Sequence, residues 1–398
     1  MPERPDPTHG GTTGAAPDPA TTGVSRRDVL RAAAVGACAL CLGAVPQAAS
    51  TARAQSAQAG LVGRAPSPWF EPLGGGELRC TLCPHRCRLA DGQRGRCRVR
   101  ENRGGAGNTL AYGNPCLVQL DPVERKPFFH VLPGSRALSV STAGCPLACR
   151  FCEVWDMALV APEEVVAYDL PPEALVWHAV EVGATSVSFA FGEPVAFFEY
   201  MVDSAALARA AGLRVLVHTS GYLEEAPLAA LAPLVDAVNV DLKAFDDGFY
   251  REQCGGELAP VLRTLRSLRS ADVHLELTHL VIPTLNDEAE QIRAMCRWVA
   301  MKLGPDVPLH FSRFYPLYQL ANLPPTPVAT LDRARAIAFD EGLRFVYVAR
   351  VTGHEGEDTF CPHCGATAIA RLGFMVEEVA LDDGRCRACG GAIAGVWA

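Results

Sequence analysis

Short apolar runs alternate with helical stretches from residue 136 to residue 350. The runs are rich in Val, Leu, Ala and Phe, which is typical of strands buried in a parallel sheet. They predict strands at Arg136–Ser141, Ser186–Phe191, Arg214–Thr219, Ala237–Leu242, Val273–Val281, Pro308–Arg313 and Phe345–Val348. The 3.6-residue apolar periodicity between them predicts helices such as Pro172–Val182, Pro227–Val235, Leu258–Arg269, Asp287–Leu303 and Thr330–Asp340. This alternation predicts an α/β fold with a parallel sheet.

The first sixty residues have a different pattern. Residues 1–24 are rich in Pro, Gly, Thr and Ala without apolar periodicity, which predicts disorder. The paired arginines Arg26 and Arg27 precede the apolar run Ala32–Val45, and an A-x-A type cleavage site follows at Ala52–Ala54. The run is too short to span a bilayer and predicts no stable membrane anchor. The segment resembles a twin-arginine export signal, which implies a periplasmic protein if the signal is used and a cytoplasmic one if it is not.

The 398-residue chain is 49% hydrophobic and 20% charged, an ordinary globular composition with room for one large domain and smaller modules. Its net charge of −8 supplies no broad basic field for a phosphate backbone. We therefore predict no nucleic-acid partner, which argues against an RNA-modifying enzyme.

Sixteen cysteines form three tight sets and a few isolated positions. Their short spacings favour metal sites over a disulfide framework. The first set, Cys80, Cys83, Cys87 and Cys97, fits either an electron-relay cluster or a structural zinc knuckle. The last set is Cys361, Cys364, Cys386 and Cys389, two C-x2-C pairs with 21 residues between them. This last pattern predicts a zinc ribbon, with a rubredoxin-like iron as the alternative.

The middle set, Cys145, Cys149 and Cys152, has the spacing C-x3-C-x2-C in one short loop. Structural zinc takes four protein ligands, whereas a [4Fe–4S] cluster held by three cysteines keeps one iron open. The loop resembles the signature loop of radical S-adenosylmethionine (radical SAM) enzymes. The resemblance implies that the three cysteines ligate the cluster, that the open iron chelates SAM, and that Phe151 lies beside the adenine.

Two further stretches narrow the resemblance. They read C-x-L-C-P-H-x-C from Cys80 and D-P-x-E-x-K-P-x-x-H-x-x-P-G-S from Asp121. Together with the cluster loop, they resemble the AmmeMemoRadiSam-system radical SAM family, which is related to pyruvate formate-lyase activating enzymes. The resemblance covers residues 75–398 and implies a partial TIM-type (β/α)6 barrel. The predicted segments are the N-region with its signal (1–60), a Cys-rich segment (61–135), the barrel (136–352) and a zinc-ribbon-like module (353–398).

In such barrels the active groups follow the carboxyl ends of the strands. Phe191-Gly192-Glu193-Pro194 resembles the G-G-E-P element that meets the SAM amino group, with Phe191 in place of the first glycine. The resemblance also implies roles in SAM binding for Ser220, Asp241 and Lys243, and His310 is predicted to reach the ribose or the substrate. His279 and Arg313 are weaker candidates, and the sequence identifies no catalytic residue.

The resemblance implies an enzyme that cleaves SAM reductively to a 5′-deoxyadenosyl radical, which then abstracts hydrogen from an unidentified substrate. The implied cofactors are a [4Fe–4S] cluster, SAM and zinc, with a flavodoxin- or ferredoxin-like electron donor. A protein substrate would match the activating enzymes, and AMMECR1- and Memo-type proteins are the expected companions. The alternatives are a non-catalytic iron–sulfur and zinc protein for electron transfer or interaction, and a radical SAM methylase of nucleic acid.

Overall fold

The computed structural model describes residues 57–398. The predicted disordered stretch, the twin-arginine-type signal and its cleavage site fall in residues 1–56 and lie outside the described residues. Within residues 57–398, no helix combines the length and the apolar character needed to cross a bilayer.

The described chain begins with short antiparallel strands. They are β1 (Gln58–Ala59), β2 (Ala65–Pro66), β3 (Phe70–Gly74), β4 (Glu77–Cys80), β5 (Arg88–Leu89), β6 (Arg100–Arg103) and β7 (Ala106–Thr109). Strands β3, β4 and β5 form one small sheet, and β2, β7 and β6 form another. The first cysteine set lies at the end of β4, in the turn between β4 and β5, and in the loop before β6. The two sheets therefore bring cysteines that are distant in sequence into one region.

A large sheet follows. Its strands are β8 (Leu117–Pro122), β9 (Arg136–Ser141), β11 (Ser186–Phe189), β12 (Arg214–Thr219), β13 (Ala237–Asp241), β14 (His274–Val281), β15 (Leu309–Arg313) and β16 (Val346–Ala349), while the short β10 (Val166–Ala167) pairs with β1. Over the described residues, the order is β16-β15-β14-β13-β12-β11-β9-β8. Strands β9 and β11–β16 are parallel, and β8 is antiparallel to β9 at the edge.

Helices connect the parallel strands. They are α1 (Trp155–Ala158), α2 (Pro172–Glu181), α3 (Phe198–Ala210), α4 (Glu225–Leu231), α5 (Asp247–Phe249), α6 (Leu258–Ser270), α7 (Ala289–Lys302) and α8 (Val328–Asp340), and α5 continues into a π-helical turn, Tyr250–Cys254. Each helix buries one face, as α6 does with Val261, Leu265 and Leu268, three side chains at 3.6-residue periodicity. Burial of each such side chain contributes about 1.5–3 kcal/mol of hydrophobic stabilisation.

The predicted strands are confirmed, with ends that differ by up to two residues. Helix α4 begins two residues before its predicted start and ends four residues before its predicted end, where a 3-10 turn takes over. Helix α3 and strand β8 were not among the predicted elements. Both lack a clean pattern: α3 is apolar around most of its circumference, and β8 has intermediate burial on both faces. The predicted α/β fold of the partial TIM type is the observed one.

The C-terminal module lies against the amino ends of the barrel strands. Its strands are β17 (Thr359–Phe360), β18 (Thr367–Leu372), β19 (Met375–Val379), β20 (Leu381–Asp382) and β21 (Arg385–Cys386). Ile369 and Ile393 of the module share an apolar cluster with Phe129, Phe345 and Tyr347 at the base of the barrel. The module therefore closes the end of the barrel opposite the carboxyl ends of the strands.

Candidate functional site

The cysteine loop follows β9 directly and is anchored by backbone hydrogen bonds. The amide of Ala148 donates to the carbonyl oxygen of Cys254 at 2.8 Å, and that of Arg150 donates to Gln253 at 2.9 Å. Both acceptors belong to the π-helical turn after α5. The loop is therefore held in place by a segment about a hundred residues further along the chain.

Gly144 allows the loop to pass close to the Cys-rich segment. Its φ of +100° lies in the region that side chains disfavour. A Cβ atom at this position would stand 2.7 Å from the carbonyl oxygen of Cys97. A residue other than glycine would therefore push the cysteine loop away from the first cysteine set.

The three loop thiols differ in acidity. Burial raises the pKa of Cys145 well above its ordinary value and raises that of Cys152 to about 11. The pKa of Cys149 is lowered, because the neighbouring Cys254 thiol and the Lys243 ammonium stabilise its thiolate against the opposing effect of burial. Cys149 is thus the thiol of the loop that most favours the thiolate form required of a metal ligand. The contribution of Cys254 was not predicted from the sequence.

The spacing of the loop thiols fits a cluster better than a single ion. Zn–S bonds of about 2.3 Å bring the sulfur atoms of a zinc site to within about 4 Å of one another. Within residues 57–398, the Sγ atoms of Cys145, Cys149 and Cys152 are not all within 4.8 Å of one another. A [4Fe–4S] cluster places each cysteine on a different iron and so suits this wider spacing. The donor set therefore fits the cluster that the sequence predicted.

Glu193 lies at the carboxyl end of β11 and ties it to the neighbouring strand. Its carboxylate accepts hydrogen bonds from Thr219 Oγ1 at 2.6 Å, from the Ser220 amide at 2.8 Å and from the Val195 amide at 3.1 Å. A Cβ at the adjacent Gly192 would overlap Ser141 Oγ, so a larger residue there would displace the Ser141 side chain. Phe191, which stands where the motif has glycine, adopts a φ of +71°. The bent backbone of the motif is therefore kept despite the substitution.

Asp241 and Lys243 form an ion pair at the end of β13. Asp241 Oδ2 lies 3.1 Å from Lys243 Nζ, and its Oδ1 lies 2.8 Å from Nε2 of His218. Burial opposes ionisation, but Lys243 and His218 hold the pKa of Asp241 well below its usual range. Burial likewise opposes the charge on Lys243, yet Asp241 and the Cys149 thiolate raise its pKa well above the usual value. Both groups are therefore charged at neutral pH.

The structure brings most of the predicted site residues to the carboxyl end of the barrel. Phe151 is buried in the cysteine loop, and Lys243 Nζ lies 5.8 Å from the centroid of its ring. The amide of Ser220 is bound to Glu193, so the Ser220 turn belongs to the same group. His218, which the sequence analysis did not single out, joins it through Asp241. Its position near the end of β12 is a signal that the strand-end rule could have used.

His310 is not part of this group. It is the second residue of β15, at the amino end of the strand, and is completely buried. Its Nε2 lies 2.7 Å from Glu276, whose carboxylate also accepts hydrogen bonds from the amides of Phe129 and His130. The structure therefore places His310 in the polar network at the base of the barrel.

The last cysteine set converges at single-ion distances. The Sγ atoms of Cys361, Cys364, Cys386 and Cys389 all lie within 4.8 Å of one another, at 3.6 Å for Cys361–Cys389 and 3.9 Å for Cys364–Cys386. Burial raises the pKa of Cys361, but the amides of His363 and Cys364 and the thiols of Cys389 and Cys364 together lower it to about 7. Four thiols in this arrangement can form a zinc-ribbon-like module.

The first cysteine set also comes together. Cys80, Cys83, Cys87 and Cys97 line one cavity between the small sheets and the barrel. Burial raises the pKa of Cys80 to about 11 and raises those of Cys83 and Cys97.

Known proteins resemble this chain over most of its described length. Residues 139–296 match the family model of the radical SAM superfamily. An uncharacterized protein of Methanocaldococcus jannaschii is 38% identical over 324 residues, which span 81% of this chain and 96% of that protein. The pyruvate formate-lyase-activating enzyme of Clostridium pasteurianum is 28% identical over 171 residues, which span 41% of this chain and 68% of that enzyme.

Among solved structures, a domain of pyruvate-formate lyase-activating enzyme from Bacteroides vulgatus shares 16% identity with a TM-score of 0.38, over 42% of this chain and 99% of that domain. The family match covers the strands that carry the cysteine loop, Glu193 and Lys243. This chain belongs to the radical SAM superfamily.

Proposed function

We propose that this chain is an enzyme that binds a [4Fe–4S] cluster on Cys145, Cys149 and Cys152, together with SAM. In this proposal it cleaves SAM reductively and uses the 5′-deoxyadenosyl radical to abstract hydrogen from a substrate. The observation that carries the proposal is the meeting of the cysteine loop, the fixed Glu193 carboxylate and the Lys243 ammonium at one end of the barrel. A structural metal site would not need the last two groups.

The cluster and SAM, when bound, supply the one-electron reductive cleavage of a C–S bond. The residues of the chain supply position and charge. Thr219 and Ser220 hold the Glu193 carboxylate, which is the group that an ammonium such as that of SAM requires. Asp241 orients the Lys243 ammonium, which suits a carboxylate. The Glu193 carboxylate and the Lys243 ammonium would therefore bind the amino and carboxylate groups of SAM, respectively.

The surface around the loop favours a macromolecular substrate. Trp155, Tyr315 and Leu317 are 42%, 40% and 40% exposed, although they are large apolar residues. Trp155 follows the cysteine loop and stacks on Tyr318 with ring centroids 5.1 Å apart. Exposed aromatic side chains beside a site are typical of protein–protein contacts. A protein substrate is also consistent with the activating enzymes among the relatives, which are named for the enzyme they activate.

The proposal extends to partners. A flavodoxin- or ferredoxin-like donor would supply the electron, because each cleavage of SAM consumes one. The resemblance of the motifs from Cys80 to Ser135 to the AmmeMemoRadiSam system supports AMMECR1- and Memo-type proteins as companions.

The decisive experiment is anaerobic. The protein is reconstituted with iron and sulfide, and dithionite and SAM are added. We expect 5′-deoxyadenosine in the wild type, none in Cys149→Ala, and wild-type amounts in Cys296→Ala, which removes a buried thiol on α7 instead. Mass spectrometry measures the nucleoside.

An enzyme gated by its substrate could retain SAM intact, so a second readout is needed. Binding of SAM to the open iron changes the electron paramagnetic resonance (EPR) signal of the reduced cluster. A protein that holds the cluster but shows neither 5′-deoxyadenosine nor a SAM-dependent change would favour the non-catalytic alternative.

A further inference from the structure

The four cysteines of the first set, Cys80, Cys83, Cys87 and Cys97, all line one cavity, and their sulfur atoms do not converge at single-ion distances within the described residues. Cys80, Cys83 and Cys97 are less than a tenth exposed, and Cys87 is half-buried. The sequence analysis left open whether such a set holds zinc or a cluster.

The two four-cysteine sets of this chain differ in spacing. The sulfur atoms of the C-terminal set all lie within 4.8 Å of one another, as a single tetrahedral ion requires. In the part of the chain that the structure describes, no three sulfur atoms of the first set come that close together. Thiolates on four separate irons stand farther apart than thiolates on one ion. The wider spacing around a cavity therefore favours a four-iron cluster.

A buried arginine at the same cavity supplies a second observation. Arg100 is 1% exposed and lines the cavity beside the thiols. Its Nη1 is bound to Glu199 at 2.8 Å, whereas its Nε and Nη2 have no partner among the described residues. Unpaired buried donors are costly and indicate a missing acceptor. A thiolate-bound cluster is anionic and carries bridging sulfides, which offer acceptors beyond those of the four cysteines.

The cavity adjoins the cysteine loop of the proposed SAM site. His85, between Cys83 and Cys87, has its Nε2 2.8 Å from the carbonyl oxygen of Pro146 in that loop. The close approach of Gly144 to the carbonyl oxygen of Cys97 forms a second contact. The two segments that carry these thiols are therefore in direct contact.

We propose that Cys80, Cys83, Cys87 and Cys97 hold a second [4Fe–4S] cluster, with Arg100 as its buried cationic neighbour. Because no ligand position is left open, this cluster would carry electrons and not bind SAM. In that role it takes one electron from a low-potential one-electron donor and returns to its oxidised state when it passes that electron on. Its presence does not depend on whether the chain cleaves SAM.

The test uses the full chain in which Cys145, Cys149 and Cys152 are all replaced by serine. We expect this triple variant to retain about four iron and about four acid-labile sulfide per chain after anaerobic reconstitution, against about eight of each in the wild type. Its Mössbauer spectrum should be that of a four-iron cluster. Its EPR signal after reduction should be unchanged by SAM.

Two further variants locate the remaining cluster. Adding Cys83→Ser and Cys87→Ser to the triple variant should remove the remaining iron and sulfide, whereas adding Cys296→Ser should not. Circular dichroism compares the secondary structure of the variants. A triple variant without sulfide, or one with about two zinc ions per chain, would overturn the proposal, as would sulfide that persists without Cys83 and Cys87. None of these measurements requires enzymatic activity.

Discussion

The carboxylate of Glu193 accepts a 2.8 Å hydrogen bond from the backbone amide of Ser220, which joins the loops after two neighbouring strands. A second bond, of 2.6 Å, comes from the hydroxyl of Thr219. The side chain is only 4% exposed, so these contacts fix the position of its charge. The SAM site proposed above depends on that charge.

Replacement of Glu193 by glutamine keeps the shape but removes the charge. A hydrogen bond to a charged group contributes about 1.5–3 kcal/mol, so we expect the Kd for SAM to rise about 10- to 100-fold. Iron content should not change, because Glu193 is not a cluster ligand in the proposal. Equilibrium dialysis with labelled SAM measures the affinity. Thr219→Val, which removes one support of the carboxylate, should have a smaller effect in the same direction.

The ion pair between Lys243 and Asp241 leads to a separate prediction about SAM binding. Lys243→Met removes the ammonium that we assign to the SAM carboxylate, and it leaves Asp241 paired with His218 alone. We expect SAM affinity to fall by about tenfold or more, since charge-assisted hydrogen bonds are about twice as strong as neutral ones. Lys302→Met at the end of α7 is the matched control. Equal SAM affinity in the two variants would remove Lys243 from the site.

The sequence predicted the parallel strands well because strands buried on both faces are continuous apolar runs. Glu193, Asp241 and Lys243 became candidates because they stand at or just after the ends of such runs, where active groups of barrels gather, and because their motifs resemble SAM-binding elements of the family. The same rule placed His310 at the site because it could not tell which end of β15 this residue occupies. His310 belongs to its amino end, and its side chain meets Glu276 at the base of the barrel.

Cys254 shows what the sequence could not reveal. It lies 102 positions after Cys152, and no spacing pattern links it to the cysteine loop. It reaches Cys149 because the π-helical turn after α5 folds back against the loop. Contacts of this kind depend on tertiary packing, which a local pattern does not encode.

Cys254 should tune the proposed cluster at the cysteine loop. Its carbonyl oxygen accepts from the Ala148 amide in the loop, its thiol lowers the pKa of Cys149, and a thiol that donates to a cluster sulfur stabilises the reduced state. A net contribution of about 0.5–1.5 kcal/mol corresponds to about 20–60 mV for one electron, so Cys254→Ala should lower the reduction potential by that amount. Cys254→Ser keeps a donor and should restore most of it. Redox titration followed by EPR measures both, and identical potentials in all three proteins would contradict the assignment.

The C-terminal module should depend on a single metal ion. Cys386 is buried, and its sulfur lies 3.9 Å from that of Cys364. Small modules rarely bury enough surface to fold without such a staple. We expect Cys386→Ser to lose about one zinc per chain and to lower the unfolding temperature, while the cluster iron stays constant. Elemental analysis and calorimetry test this, with Cys296→Ser as the control. Iron in place of zinc would instead support the rubredoxin-like alternative.

Burial of His130 predicts a loss of stability in acid. The imidazole lies between Tyr347 and the carbonyl oxygen of Ala394, both at 2.6 Å, and burial lowers its pKa from 6.5 to about 3. Between these values the unfolded chain binds a proton that the folded chain does not. The free energy of unfolding should therefore fall as the pH falls, by about 1.4 kcal/mol per pH unit from this residue.

His130→Gln removes the titrating group, so its free energy of unfolding should depend less steeply on pH between about 6 and 4. The variant will be less stable than the wild type at neutral pH, because the paired bonds to Tyr347 and Ala394 are not both reproduced. The comparison is therefore between slopes, measured by chemical denaturation at several pH values. Parallel slopes for His130→Gln and the wild type would show that protonation of His130 is not coupled to unfolding.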